Sequence, residues 1–247
     1  MPRAGSLSAP FLKSIELLPE RVPDDTTYPF SIPAIAAEPF RIDFTNPVTI
    51  LAGLNGSGKS TILEAIAYLC GFGRLGGNRN YQSGADAPDL LGKCLRPVWL
   101  PKVGRGFYTR AETFWALINQ IDGFGAQEAY GGQSLTERSH GEAYLEIFRN
   151  RINGRGIFIF DEPEAALSPS RQIDFLRALR FAERSGDAQF ILATHSPLLM
   201  AYPGATLLHL TDFGVLERPL QLTEHFRVLR KFYLDPESFM SAIFDGE

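Results

Sequence analysis

The sequence predicts an α/β fold: a largely parallel sheet with helices on both faces, plus an antiparallel N-terminal β part and a small helical lobe. Three observations carry this. "VTILAG", "GIFIFDEP" and "QFILATHSP" are short, continuous, β-rich apolar runs, the pattern of strands buried on both faces. Amphipathic helical segments alternate with them, which favours parallel strands joined by crossovers. The N-terminal 40 residues are instead broken by Pro2, Pro10, Pro19, Pro23, Pro29, Pro33 and Pro39, the mark of edge strands and loops.

Taken in order, "FRIDF" and "VTILAG" read as two strands, the second entering glycines and then a helix in which Ile62, Ile66 and Leu69 share a face. Between about Gly71 and Glu137 the pattern is mixed: a Gly/Asn-rich loop "GFGRLGGNRNYQSGADAP", a short strand around "RPVWL", and a helix "AETFWALINQI". "SHGEAYLEIFRNRING" restarts helical periodicity through Leu145, Phe148 and Ile152, with Gly154 as a C′ glycine. "SPSRQIDFLRALRFAERSG" predicts a helix with Ser168 as N-cap, Pro169 at N1 and Gly186 at its end. The expected organisation is one domain over residues 1–247, its core from about 1–70 and 155–247 and its lobe from about 71–154.

At 247 residues and 45% hydrophobic, the chain can bury one sizeable core. The net charge of −4 excludes a global basic field for nucleic acid and leaves a local patch open. Cys70 and Cys94 form no C-x-x-C or Cys/His cluster, so neither a disulfide framework nor a zinc site is expected, and a reducing, cytoplasmic setting fits. "MPRAGSLSAPFLKS" lacks the apolar core of a signal peptide, and no run approaches the roughly 18 apolar residues of a membrane span, so no membrane partner is expected.

"GLNGSGKST", Gly53 to Thr61, satisfies G-x-x-x-x-G-K-[ST], with a strand before it and a helix after it. Such glycines let backbone N–H groups turn inward around phosphate oxygens, and the helix N-terminus adds the positive end of its dipole. Gly53, Asn55, Gly56, Ser57, Gly58, Lys59, Ser60 and Thr61 are therefore the candidate nucleotide ligands, with Lys59 reaching the β- and γ-phosphates and Ser60 giving its hydroxyl to Mg²⁺. The plainer reading, a Gly-rich turn capped by Ser57 or Ser60, has the strand-loop-helix context against it. "IFIFDEP" sets Asp161 and Glu162 at the C-terminal end of a strand, where open α/β sheets bind ligands. Asp161 suits a metal held through water, and Glu162 suits a general base for the attacking water. His195, ending "ILATHSP" one helix-plus-strand unit later, falls at the same crevice and suits a γ-phosphate contact.

The order of "GLNGSGKST", "SHGE", "IFIFDEPEAALSP" and "ILATHSP" resembles the ATP-binding-cassette superfamily of P-loop NTPases. In particular it resembles the small bacterial AAA-type ATPases related to the heads of chromosome-maintenance and double-strand-break-repair ATPases, over roughly residues 40–200. The resemblance implies an ATPase with ATP and Mg²⁺ as its ligands. Gly53–Thr61 would be Walker A, Asp161 and Glu162 Walker B and catalytic base, Ala166–Pro169 the D-loop, and His195 the switch histidine. Lys59, Glu162 and His195 are then the catalytic set, and Ser60 and Asp161 the metal set. Ser139 and Gly141 match the signature motif, which implies an ATP-dependent homodimer with two nucleotides sandwiched head to tail.

Several features depart from the pattern. The transporter-type Leu-Ser-Gly-Gly-Gln run appears as Arg138-Ser139-His140-Gly141-Glu142, which argues against a transporter motor subunit. Read alone, Ser139 and Glu142 make a capping box, a role compatible with the signature reading. For the Q-loop, Gln82 fits by residue type, but "FYTRAETFW" has the better corner at Arg110 and Glu112, and Glu112 is taken as a further metal ligand. Phe40 or Phe44 could stack on adenine, although core packing is the plainer role. Only 77 residues, 62 to 138, separate Walker A from the signature, without heptads for a coiled coil. Such a bare head leaves open an effector protein in DNA repair or phage defence, gated by ATP, and nucleic acid as a partner. In "EHFRVLRKFYLDPESFMSAIF", Arg227, Arg230 and Lys231 suit phosphates, but an amphipathic helix with Phe226, Leu229 and Phe232 packed on the core is the favoured reading.

Overall fold

The computed structural model describes residues 7–73, 89–111, 114, 118, 136, 139–152 and 154–244. Two sheets organise them. A six-stranded sheet runs in the order β5 (Gly106–Arg110), β6 (Gly156–Asp161), β7 (Ala188–Ala193), β3 (Val48–Ala52), β8 (Thr206–Thr211) and β9 (Gly214–Glu217). Its first five strands are parallel and β9 closes the edge antiparallel. A three-stranded antiparallel sheet has β1 (Leu12–Leu17) between β2 (Arg41–Asp43) and β4 (Leu95–Trp99). The expected largely parallel sheet and antiparallel N-terminal part are both present, with one difference. β1 is a central strand rather than an edge, because Pro10 and Pro19 lie outside it and leave its N–H groups free to pair on both sides. Pro97 sits on the edge strand β4, where its missing donor costs nothing. β4 and β5 both come from the 71–154 stretch and pair with β1 and β6.

Side chains alternate along the parallel strands, and each face builds its own core. Leu51, Ile157, Ile159, Ile191 and Leu208 face α2 (Lys59–Cys70) and the smaller sheet, where Ile62 and Ile66 are fully buried. Ile50, Phe158, Phe160, Phe190 and Leu192 face α4 (His140–Arg151) and α5 (Pro169–Glu183). Phe148, Phe158, Phe160, Phe175 and Phe190 form the heart of this second core, with ring centroids 4.6 Å apart for Phe148–Phe175 and 5.5 Å for Phe158–Phe190. The ends of α5 follow the sequence: Ser168 accepts from the Arg171 N–H, Pro169 stands at N1, and Gly186 has φ +74°. α4 ends at Arg151, and Gly154 turns the chain with φ +73°. Shorter helices are α1 (Pro33–Ala36), α3 (Leu90–Cys94) and α6 (Pro197–Met200).

The C-terminal segment departs from the favoured expectation. It forms α7 (Glu224–Leu234) and α8 (Pro236–Phe244), neither of which has a buried residue. Leu229 is 36% exposed, and Phe232 meets Phe239 of α8 at 5.8 Å rather than the sheet. The helices pack on each other, and α7 is seated at its start, where Thr223 is buried and caps the Phe226 N–H at 3.1 Å. Among the described residues, no helix is long and apolar enough to cross a membrane.

One buried polar side chain joins the two sheets. Gln189 of β7 accepts from the Phe11 and Leu12 N–H groups at 2.8 and 2.9 Å and donates to the Leu12 carbonyl at 3.0 Å. Replacing it with Leu leaves these buried groups unpaired, which costs about 1–3 kcal/mol for each group not rescued by water. Gln189→Leu should therefore lower the unfolding free energy by about 3 kcal/mol or more in urea titrations; a change below about 0.5 kcal/mol would mean the sheets are joined by other means.

Candidate functional site

β3 ends at Ala52 and the chain turns through Gly53–Gly58 into α2. Gly58 has φ +99°, and a Cβ there would come within 2.9 Å of Ile32 Cγ2, so the loop lies flat against the N-terminal segment. A Cβ on Gly53 would meet Ser57 Oγ at 2.6 Å. Gly58 is the N-cap of α2 and brings no side-chain cap to that helix end. Lys59 is buried and folds back, donating to the Gly53 and Leu54 carbonyls at 3.0 and 2.9 Å. Burial pulls its pKa down, while Glu162, Asp161 and Glu164 pull it up. Ser57 Oγ is buried with no hydrogen-bond partner among the described residues, and Thr61 Oγ1 shares a 3.0 Å hydrogen bond with Tyr28 Oη. Asn55 and Gly56 stay exposed at a cavity of about 490 Å³ that His209, Arg218 and His225 also line.

Across 101 residues of chain, Ser60 Oγ donates to Asp161 Oδ1 at 3.1 Å. Tyr108 Oη donates to Oδ2 at 3.4 Å, and Arg110 Nε lies 3.6 Å from the same oxygen while its Nη1 pairs with Glu64. Asp161 is 4% exposed, and burial raises its pKa to about 6 despite the Ser60 hydrogen bond and the Arg110 charge. A buried hydroxyl-carboxylate pair of hard oxygens, short of positive charge, fits a small divalent cation such as Mg²⁺.

Glu162 follows in the left-handed region, φ 51° and ψ 53°, and is the one non-glycine with positive φ among the described residues. Such a conformation costs about 1–3 kcal/mol and persists because its surroundings impose it. Here the Glu162 N–H extends the ladder to the Ala193 carbonyl at 2.9 Å, and Pro163 starts a 3₁₀ turn over Pro163–Ala166. His195 Nε2 lies 3.4 Å from Glu162 Oε1, and its Nδ1 is 2.8 Å from His225 Nε2. The first contact is too long for a good hydrogen bond, so among the described residues Nε2 is a buried polar atom without a hydrogen-bond partner. Glu164 Oε1 accepts from the His195 backbone N–H at 2.5 Å, and burial raises the pKa of this carboxyl.

Ser139 and Glu142 form the reciprocal capping box of α4, with the Ser139 N–H donating to Glu142 Oε2 at 3.3 Å. The N-terminus of α4 meets the turn after β6: a Cβ on Gly141 would contact Ala166 O at 3.4 Å, and Glu142 pairs with Arg171 Nη2 at 3.0 Å. Ser139 is exposed.

Lys59, Ser60, Asp161, Glu162 and His195 thus share one sheet edge, whereas Ser139 and Gly141 contact the 166–171 segment. Glu112 and Gln82 lie outside the described residues. Phe40 and Phe44 are 4% and 2% exposed core residues, which excludes them as stacking platforms and bears out their plainer role. The sequence reading missed Tyr28, Glu164 and His225, and it took Arg110 for a corner rather than a neighbour of Asp161. Only for Arg110 was there a signal, a charge ending an apolar strand.

The profile of the AAA domain family matches residues 31–174, more than half of the chain. The chain belongs to the AAA domain family. No curated protein matches this AAA domain by sequence. Among solved structures, it is similar to an SMC head bound to the C-terminal winged-helix domain of ScpA, at 14% identity and a TM-score of 0.50, covering 86% of this chain and 98% of that one. The SMC head domain from Thermotoga maritima follows at 17% identity and a TM-score of 0.47, with 85% and 99% covered. A dimeric bacterial ABC transporter cassette has 17% identity and a TM-score of 0.43, with 75% and 90% covered. The fold is that of the P-loop ATPases.

Because Asp161 holds its proton more tightly in the fold than in the unfolded chain, its burial destabilises the metal-free protein once it ionises. That contribution is absent near pH 4, grows as pH rises through about 6, and is constant above. In EDTA at pH 7.5, Asp161→Asn should be more stable than the parent by about 2–3 kcal/mol, with the gap closing toward pH 4. A less stable variant at pH 7.5 would show that Arg110 and Ser60 already compensate the charge.

Proposed function

We propose that the AAA domain, as one unit over residues 1–247, hydrolyses ATP in a composite site completed by a second copy packed head to tail. The observation that carries this reading is the convergence of Lys59, Ser60, Asp161, Glu162 and His195 on one edge, where the buried His195 Nε2 has no hydrogen-bond partner among the described residues. The backbone N–H groups of Gly53, Asn55, Gly56, Ser57 and Gly58 would bind phosphate oxygens, with Thr61 beside them. Lys59 would exchange the Gly53 and Leu54 carbonyls for the β- and γ-phosphates. Ser60 and Asp161 would hold Mg²⁺, and Glu112 stays a proposed further ligand. Bound there, the ion would neutralise charge on the β- and γ-phosphate oxygens. Glu162 would take the proton of the attacking water, and His195 would present a donor to the γ-phosphate.

Ser139 and Gly141 support the dimer. Their helix start is rigidly capped yet exposed, and it packs against the 166–171 segment, so it suits a nucleotide held by another copy. The His140 and Glu142 positions of the motif disfavour a transporter motor. A second reading, an ATP-gated module for an effector in DNA repair or phage defence within the cytoplasm, is favoured by the exposed Tyr233, Leu234 and Phe244 of the C-terminal helices. Nucleic acid stays open as a partner.

Glu162→Gln should keep ATP binding, lose turnover about 100-fold or more, and run as a dimer with Mg·ATP in gel filtration. If it binds ATP and stays monomeric, the sandwich is wrong. Lys59→Ala should lose ATP binding itself in equilibrium dialysis, and unchanged affinity would remove Lys59 from the site.

A further inference from the structure

His225 belongs to none of the sequence motifs, yet it is the group against which the His195 ring rests. Its Nε2 lies 2.8 Å from His195 Nδ1, with ring centroids 4.9 Å apart. A nitrogen-nitrogen contact of this length holds one proton, so one ring donates and the other accepts. The other side of His195 decides which. Were His195 Nδ1 the donor, the neutral ring would turn a lone pair at Nε2 toward Glu162 Oε1, 3.4 Å away in a buried setting, and the two would repel. With His225 Nε2 as the donor, His195 carries its hydrogen on Nε2, and the same contact becomes attractive. Burial and the nearby Lys59 ammonium hold both rings toward the neutral form, so the choice is not bypassed by a doubly protonated His195.

We infer that His225 is a positioning residue that fixes His195 as its Nε2–H tautomer and aims that single N–H into the phosphate crevice. The inference rests on the proposed role of His195 at the γ-phosphate. The tautomer of a histidine is set by the hydrogen bond of its other nitrogen, and here that bond comes from a helix beyond the sheet. The device is rigid where it must be: His225 is in the first turn of α7, next to the buried Thr223, whose N–H donates to the Leu220 carbonyl at 2.9 Å. Beyond this turn α7 is exposed except for Phe232, which is half-buried against α8, so the helix reaches the site through its first turn.

The test combines ring ¹⁵N NMR of the full chain with kinetics. In the parent protein at pH 8, long-range ¹H–¹⁵N correlations, assigned by loss in His195→Ala and His225→Leu, should show His195 protonated at Nε2 and bare at Nδ1, and His225 protonated at Nε2. His225→Leu, which cannot donate, should lower kcat about 10-fold or more with KM for ATP little changed. His225→Gln, whose amide N–H can donate to Nδ1, should recover most of the loss. Two results overturn the inference: a parent His195 protonated at Nδ1, or a parental kcat in His225→Leu while His195→Ala is impaired. A parental rate in His195→Ala overturns instead the role of His195 at the phosphate, whatever the tautomer.

Discussion

The in-register parallel pairing of β6, β7 and β3 is the constraint from which the site follows. Asp161 pairs with Ala193, and Ala193 with Leu51, so the three strands end at one level. The ladder continues past the strands, with the Glu162 N–H on the Ala193 carbonyl and the Thr194 N–H on the Leu51 carbonyl. Gly53, Glu162 and His195 are therefore delivered to one edge by backbone hydrogen bonds, before any side chain contributes. A slip of one residue would turn each strand's side chains to the opposite core. The stacked Phe158, Phe160 and Phe190 on one face and Ile157, Ile159 and Ile191 on the other exclude it.

That edge is expensive to maintain without a ligand. Asp161 and Lys59 are both buried and both held away from their ordinary pKa values by burial, and Glu162 sits in a strained backbone. Lys59 rests on carbonyls, Ser60 on Asp161, and Arg110 bridges Asp161 and Glu64. In the proposed site, each of these contacts would give way to one with a phosphate or a divalent cation. The fold positions the charges, and their mutual compensation is incomplete, so under the proposed function a nucleotide with its metal would have something to gain at these residues.

How much of this is legible in the sequence follows from how local each feature is. The phosphate loop, the apolar strands and the caps at Ser139 and Ser168 depend on residues a few positions apart, and they can be read directly. The central place of β1 depends on where Pro10 and Pro19 fall relative to its ends, a matter of two or three residues. The roles of Arg110, Glu164 and His225 depend on contacts across 30 to 51 residues with His195 and Asp161, which no local pattern encodes. The same holds for α7, whose apolar spacing suggests a core helix although its partner is α8. Phe40 and Phe44 carry the opposite lesson: aromatic type alone says nothing of exposure.

In the proposed dimer, one chain holds only half of each catalytic site. Within a protomer, Lys59 and His195 share an edge, while the capped start of α4 at Ser139 packs on the 166–171 segment and stays exposed. In the proposed dimer, Ser139 would serve the partner's nucleotide. The direct measurement is turnover of a mixture of Lys59→Ala and Ser139→Arg chains, each inactive alone. A heterodimer of the two keeps one intact site, made from the Lys59 of one chain and the Ser139 of the other. The account predicts that mixing restores up to about a quarter of the parental rate, since half the dimers are mixed and each has one working site of two. A mixture as inactive as its components, or a Ser139→Arg chain that turns over at the parental rate, would contradict it.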